Sequence, residues 1–261
     1  MPIAVQGYTV RSRVFNGGQV EEAYRKFAEM GYDGVEAGMG GRHMSDEEDA
    51  ALLAKHGLKA AAAYGDVTRP DEAMRRAECF GVRLLGLPSI PGEMMGSADG
   101  FLVYADRINQ WAAPFRGTGF RLQYHNHAQE FRNFPSLSGK SGMALLIENT
   151  DPVTVAFELD THWMAAAGCD SAEWIRKVSG RIPCVHFKDY AINPLAEDTG
   201  LGHVPKLYAE IGQGNLNWPA IRDACADAGV HWYCVEQDRS ERDVFESLRI
   251  SINYMRNLGI R

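Results

Sequence analysis

Phe157-Glu158-Leu159-Asp160-Thr161-His162-Trp163 is the stretch on which the fold turns. It closes an apolar, strand-like run over residues 153–159, and a helix-compatible segment over 171–178 follows it. The same arrangement recurs downstream. Val185-His186-Phe187-Lys188-Asp189 closes a run over 182–187, and Val235-Glu236-Gln237-Asp238 closes one over 231–235. Upstream, the run over 120–125 leads into Tyr124-His125-Asn126-His127, with Glu130 just beyond. Apolar runs that end in acids and imidazoles, each separated from the next by a helix length, suggest strands whose tips converge on one site.

Extended to the whole chain, the pattern predicts strands over 3–8, 34–36, 58–64, 82–87, 120–125, 153–159, 182–187 and 231–235. Helices are expected over 20–30, 46–56, 70–80, 98–115, 138–147, 171–178, 218–228 and 244–258. Gly31, Gly57 and Gly81 are placed to stop three of these helices, and Ser45 to cap one. Strict alternation calls for a parallel sheet with right-handed crossovers. Eight such units in 261 residues fit one closed (β/α)8 barrel, α/β in class, as a single domain over residues 1–261. The glycine-rich stretches Gly38-Met39-Gly40-Gly41 and Gly212-Gln213-Gly214 lack the G-x-G-x-x-G spacing, so no dinucleotide site is expected.

Charge and cysteine usage narrow the function classes. With 27 Lys and Arg against 34 Asp and Glu, the net charge is -7. That argues against a general nucleic-acid or anionic-membrane binder. The five cysteines, Cys79, Cys169, Cys184, Cys225 and Cys234, form no C-x-x-C pair, so neither a zinc knuckle nor a redox motif is expected. Reduced thiols, no basic-then-apolar leader and no membrane-length apolar run suit a cytoplasmic protein. The expected partner is a small molecule. A homo-oligomer is compatible with the outer helices.

In a barrel, residues at the C-terminal ends of strands face the site built from the βα-loops. Asp160, His186 and Glu236 occupy three successive ends and form a mixed carboxylate and imidazole set for one divalent cation. Mn²⁺ is expected first, with Co²⁺, Mg²⁺ and Zn²⁺ as alternatives. Glu130 is either a fourth ligand and base or a surface acid. His125 and His127 alternate on one face and could be ligands, acid/base groups or hydroxyl binders. Lys188 shares the facing of His186 and could hold a substrate oxygen. Trp163 and Tyr8 could wall a sugar face, Glu36 could hold a hydroxyl, and Glu158 could orient a ligand. The connection over 193–213 is long enough for a lid or specificity loop, and its Gly200, Gly202 and Lys206 are a faint phosphate signal.

At these residues the chain resembles the xylose isomerase-like TIM barrels, the sugar phosphate isomerase/epimerase group. The likeness runs from Gln6-Gly7-Tyr8-Thr9-Val10-Arg11 and Gly31-Tyr32-Asp33-Gly34-Val35-Glu36 to Gly212-Gln213-Gly214 with Trp218. Relatives include ketose 3-epimerases, hydroxypyruvate isomerase, inosose dehydratase and endonuclease IV-type repair enzymes. The resemblance implies ligands in the order Glu, Asp, His, Glu, of which the last three correspond to Asp160, His186 and Glu236. Strand five offers Gln123, His125 and His127 where the epimerases offer Glu, so either Glu130 reaches back or a histidine replaces the acid. The implied chemistry is proton abstraction beside a carbonyl through a metal-bound enediolate. Glu236 and one of Glu130, His125 or His127 would be the proton-transfer pair. The outcome would be isomerisation or epimerisation of a sugar or keto-sugar, or alternatively loss of a β-substituent from a keto-inositol or 3-keto-glycoside.

Overall fold

Period-2 alternation of buried side chains governs the strands. The structure, a computed structural model, describes residues 1–15, 17–192 and 206–261. Its parallel strands are β1 (Ile3–Val5), β2 (Gly34–Ala37), β3 (Lys59–Tyr64), β4 (Leu84–Gly86), β5 (Arg121–His125), β6 (Val155–Asp160), β7 (Cys184–Phe187) and β8 (Trp232–Val235). They close into a ring in which each strand pairs with its sequence neighbours and β1 pairs with β8. This is a single (β/α)8 barrel. Every residue of β6 is buried. Val155, Phe157 and Leu159 belong to the main apolar core shared with the helices. Ala156, Glu158 and Asp160 alternate with them and point into the barrel.

Local signals account for the helix ends. Ser45 and Glu48 form a reciprocal capping box at the start of the helix Asp46–Lys55. Gly31 adopts φ 88° and ends the helix Val20–Met30, a conformation costly for any residue with a Cβ. The barrel interior is filled low down by small side chains, with Ala4, Ala61, Cys184 and Cys234 in one cluster and Ala62, Leu84 and Ala156 in another. Small residues there leave room above them for polar groups.

Several expected boundaries move. The first strand ends at Val5, not Tyr8, because the Gln6 side chain accepts the Tyr8 N–H and turns the chain into a 3-10 helix, Gly7–Val10. Strand five ends at His125, so His127 lies beyond it. The helix expected from 138 begins at Gly142, capped by Ser141, while Lys140–Ser141 pairs with Asn133–Phe134 in a small hairpin. A short helix, Thr161–Ala166, starts directly at the tip of β6. In the long connection, residues 193–205 lie outside the described residues, Gly200 and Gly202 among them. Asp189–Ile192, just before that connection, pairs antiparallel with Lys206–Ala209 beside the site. Among the described residues, no helix is long and apolar enough to cross a membrane.

The outer face of β7 is held by Phe187, whose ring stacks on Tyr233 at 4.9 Å and lies 4.9 Å from Trp218. Truncation there leaves a cavity in close-packed surroundings. Phe187→Ala should lower the unfolding free energy by about 3–5 kcal/mol, measured by urea denaturation.

Candidate active site

Four strand tips bring together His125, Asp160, His186 and Glu236, and one donor atom from each lies within 4.8 Å of all the others. They come from β5, β6, β7 and the residue after β8. Asp160 serves two elements: it ends β6, and its Oδ1 accepts the Trp163 N–H at 2.9 Å as the N-cap of the following helix. Its own N–H donates to Asn126 Oδ1 at 3.0 Å, tying the tips of β5 and β6 together.

Three of the four, His125, His186 and Glu236, line a cavity of about 390 Å³ together with Gln6, Tyr8, Tyr64, His127, Trp163, Lys188 and Asp238, and Asp160 lies buried behind them. The Lys188 side chain is 2% exposed, yet its ammonium is ringed by acids. Asp238 Oδ1 lies at 2.8 Å, Glu236 Oε2 at 3.3 Å and Asp160 Oδ2 at 3.6 Å. Its Nζ also sits 4.9 Å from the centre of the Trp163 ring. Burial opposes the charge, but Asp160, Glu236 and Asp238 outweigh it and raise the Lys188 pKa.

Beneath this layer lies a second polar one. His186 Nδ1 faces Glu236 Oε2 at 3.1 Å, and its Nε2 faces Glu158 Oε1 at 3.2 Å and Glu36 Oε1 at 3.3 Å. Tyr64 donates to Glu36 at 2.7 Å, Gln123 donates to Glu158 at 3.0 Å, and Gln6 donates to Glu36. Burial and the neighbouring Glu158 push Glu36 up to about 8. Burial also opposes ionisation of Glu158, but the His186 charge prevails and holds it at about 2. Burial, partly offset by Lys188, raises Asp160 to about 7. His186 is raised well above the usual imidazole range because Glu158, Glu36 and Glu236 overcome its burial. His125 is held well below that range by burial and by the charge of His186.

The sequence-predicted residues separate clearly. Asp160, His186 and Glu236 converge, and His125 joins them. Trp163, Tyr8, His127 and Lys188 line the cavity. Glu130 does not join the group. Tyr124 faces away from the barrel interior, its hydroxyl donates to Glu130 at 2.7 Å, and the His127 N–H donates to the same carboxylate at 3.1 Å. That carboxylate is held behind β5 and is fully buried, so it is not a surface acid either. Glu36 lies behind His186 rather than on the cavity wall. Sequence reasoning overlooked Gln6, Tyr64 and Asp238 as site residues. Tyr64 ends a strand and Asp238 follows Glu236 by two, so strand-end parity contained the signal for both.

The residues present fit a divalent cation. Glu36, Glu158, Asp160 and Glu236, all buried, and the half-buried Asp238 crowd one ammonium and two imidazoles, an excess of acid groups over bases. Two buried atoms of the four-residue group, His125 Nδ1 and Asp160 Oδ2, have no hydrogen-bond partner. Two nitrogen and two oxygen donors suit Mn²⁺, Co²⁺ or Zn²⁺, with Mg²⁺ favouring the oxygens.

This barrel, with its mixed O/N donor group at the C-terminal rim, defines the class. A family model described as Xylose isomerase-like TIM barrel matches residues 24–258, and the chain belongs to that family. No curated protein matches it significantly in sequence. Among solved structures it is similar to a sugar phosphate isomerase/epimerase from Parabacteroides distasonis, at 21% identity and TM-score 0.77, over 97% of this chain and 93% of the other. A probable 3-DHS dehydratase from Bacillus anthracis, involved in petrobactin synthesis, shares the fold at 14% identity and TM-score 0.74, over 98% and 97%. A Xylose isomerase-like TIM barrel protein from Mycobacterium smegmatis, in complex with magnesium, does so at 15% identity and TM-score 0.70, over 99% and 96%.

The pKa shifts set a pH dependence. Asp160, Glu36 and His186 all have raised pKa values. From roughly pH 5 to pH 8 the folded, metal-free chain therefore holds more protons than the unfolded chain, and stability falls as pH rises. Glu158 and Glu236 are lowered, so their contributions are already complete above roughly pH 5, and His125, also lowered, offsets only one of the extra protons in the lower part of the window. Thermal melts in chelator should show the midpoint falling across this window. Added Mn²⁺ should restore it most strongly at the alkaline end, where protons no longer compete for the donors.

Proposed function

We propose that this chain is a divalent-metal-dependent isomerase or epimerase of a sugar or keto-sugar derivative, acting by proton abstraction next to a carbonyl. The carrying observation is the convergence of His125, Asp160, His186 and Glu236, three of which line a polar cavity, beside a buried ammonium. The ion is proposed to be Mn²⁺ first, with Co²⁺, Mg²⁺ or Zn²⁺ as alternatives, and His125 takes the fourth position in place of Glu130. When bound, such an ion polarises the substrate carbonyl and acidifies the neighbouring C–H.

Glu236 is the base in this reading. Although burial opposes its charge, His186 and then Lys188 hold its carboxyl well below the usual range, so it is ionised across neutral pH. A carboxylate at the cavity wall is placed to take the proton and return it. The Lys188 ammonium supplies fixed positive charge for an oxygen that becomes anionic. With His125 assigned to the ion, His127 beside it, 4.9 Å ring to ring, is the candidate for the second proton-transfer group. Glu36 Oε1 and Glu158 Oε1 both face His186 Nε2–H and fix the ring, leaving Nδ1 on the Glu236 side. The Trp163 and Tyr8 rings offer apolar faces to sugar C–H groups.

A second reading, a metal-dependent lyase or dehydratase acting on a keto-inositol or 3-keto-glycoside, gains from one observation. Strand β5 contributes an imidazole to the group, while the nearby carboxylate, Glu130, is tied to Tyr124. A site with a single proton-abstracting carboxylate suits one-base elimination or isomerisation better than epimerisation, which needs groups on both faces.

Both readings are tested in D₂O with a panel of ketoses, keto-inositols and 3-keto-glycosides, followed by NMR. Metal-dependent deuterium uptake beside the carbonyl is expected, and a released water or aglycone selects the lyase. Glu236→Gln should lower kcat by about 10²–10⁴-fold, and Lys188→Met by about 10²-fold with Mn²⁺ binding retained. Near-normal turnover of Glu236→Gln on the true substrate would remove this assignment of the base.

A further inference from the structure

Two cysteines lie one layer below the proposed catalytic group, on the same two strands. Cys184 precedes His186 by two residues on β7, and Cys234 precedes Glu236 by two on β8. Both thiols point into the barrel, both residues are 0% exposed, and their Sγ atoms lie 3.1 Å apart. Glu36 Oε1 lies 3.8 Å from Cys184 Sγ. The three donor atoms are all within 4.8 Å of one another.

Strand register argues against reading this pair as a disulfide. Cys184 pairs with Trp232 and Cys234 with His186, so the cysteines are two residues out of step. Two rises of about 3.3 Å along the strand and one interstrand step of about 4.8 Å separate their Cα atoms by about 8 Å. Disulfides rarely span more than about 7 Å between Cα atoms. A cation bridging two sulfurs through bonds of about 2.3 Å each relaxes that limit.

We propose that Glu36, Cys184 and Cys234 form a second metal site, selective for a thiophilic dication such as Zn²⁺ or Cd²⁺, under the O/N group. Thiolate donors favour soft ions, whereas carboxylate and imidazole donors above them accept Mn²⁺ or Mg²⁺. Binding forms two metal–sulfur bonds and one metal–oxygen bond, releases the two thiol protons and, near neutral pH, the Glu36 carboxyl proton to solvent, and involves no redox change. The site also reaches the upper group, because Glu36 Oε1 is 3.3 Å from His186 Nε2. A thiophilic ion bound below takes Glu36 away from His186.

The test is a Cd²⁺ titration of the chelator-treated full chain, followed by the thiolate-to-cadmium charge-transfer absorption in the ultraviolet. The band should grow to about one equivalent per chain and persist when Mn²⁺ is already bound. Cys184→Ser and Cys234→Ser should each abolish it. Asp160→Asn, which removes an upper donor, should keep it, as should the Cys79→Ser/Cys169→Ser/Cys225→Ser triple variant. If the serine variants do not fold, X-ray absorption at the metal edge of the cadmium- or zinc-loaded wild type answers the same question by showing two sulfur neighbours or none. No charge-transfer band at saturating Cd²⁺, a band that survives both serine substitutions, or a shell of oxygen and nitrogen alone overturns the proposal. Mn²⁺ binding, measured separately by water-proton relaxation, reports on the upper group, so the two sites can fail independently.

Discussion

A closed ring of parallel strands imposes one condition on everything else in this molecule: all eight strands end on the same rim. Each inward side chain at a strand end must face its neighbours across the barrel mouth. Here those side chains are His125, Asp160 and His186, with Glu236 one residue past its strand. No local interaction could gather residues so far apart in sequence. The ring does so because neighbouring strands pair in register, as where Asp160 sits opposite His186.

Charge sets the second condition. Carboxylates brought so close in a buried place resist ionisation together, and the structure answers with Lys188 on one side and His186 in the middle. Burial of an ammonium is costly unless it is paired, and three acids pair it. The shifts divide the acids into two kinds. Glu36 and Asp160 are raised, while Glu158 and Glu236 are lowered. An ionised carboxylate next to partly protonated ones, at one end of a cavity, is what proton transfer requires. The same excess of acid makes a divalent cation a natural occupant.

The hairpin Asp189–Ile192 with Lys206–Ala209 shows how the rim is extended. Asp189 is fully buried and accepts from the N–H groups of Gly212, Gly214 and Leu216 and from Trp218 Nε1. One carboxylate thus anchors the returning loop to the barrel. Tyr208, on the hairpin's second strand, stacks on His162 at 5.0 Å and lies 6.5 Å from Trp163. Tyr208 thus packs beside Trp163, which lines the cavity.

What the amino-acid sequence determined by itself was periodic: the alternation of strands and helices, the stops at Gly31 and Gly57, the cap at Ser45, and the acids and imidazoles at strand ends. These follow from local backbone preference and from the two-residue repeat of a strand, which a linear reading can count. The family resemblance rested on the same residues in the same order. Only the tertiary structure decided which polar residues meet. Glu130, three residues past His127, faces Tyr124 instead of the donor group because the chain leaves β5 at His125 and turns behind the strand. Glu36, at a strand end like the others, lies behind His186 because Gln6 and Tyr64 hold its carboxylate. Cys184 and Cys234, fifty residues apart, become neighbours only across a strand pairing. Those outcomes depend on register and on the competition of buried polar groups for partners, and both are properties of the closed barrel and not of any segment within it.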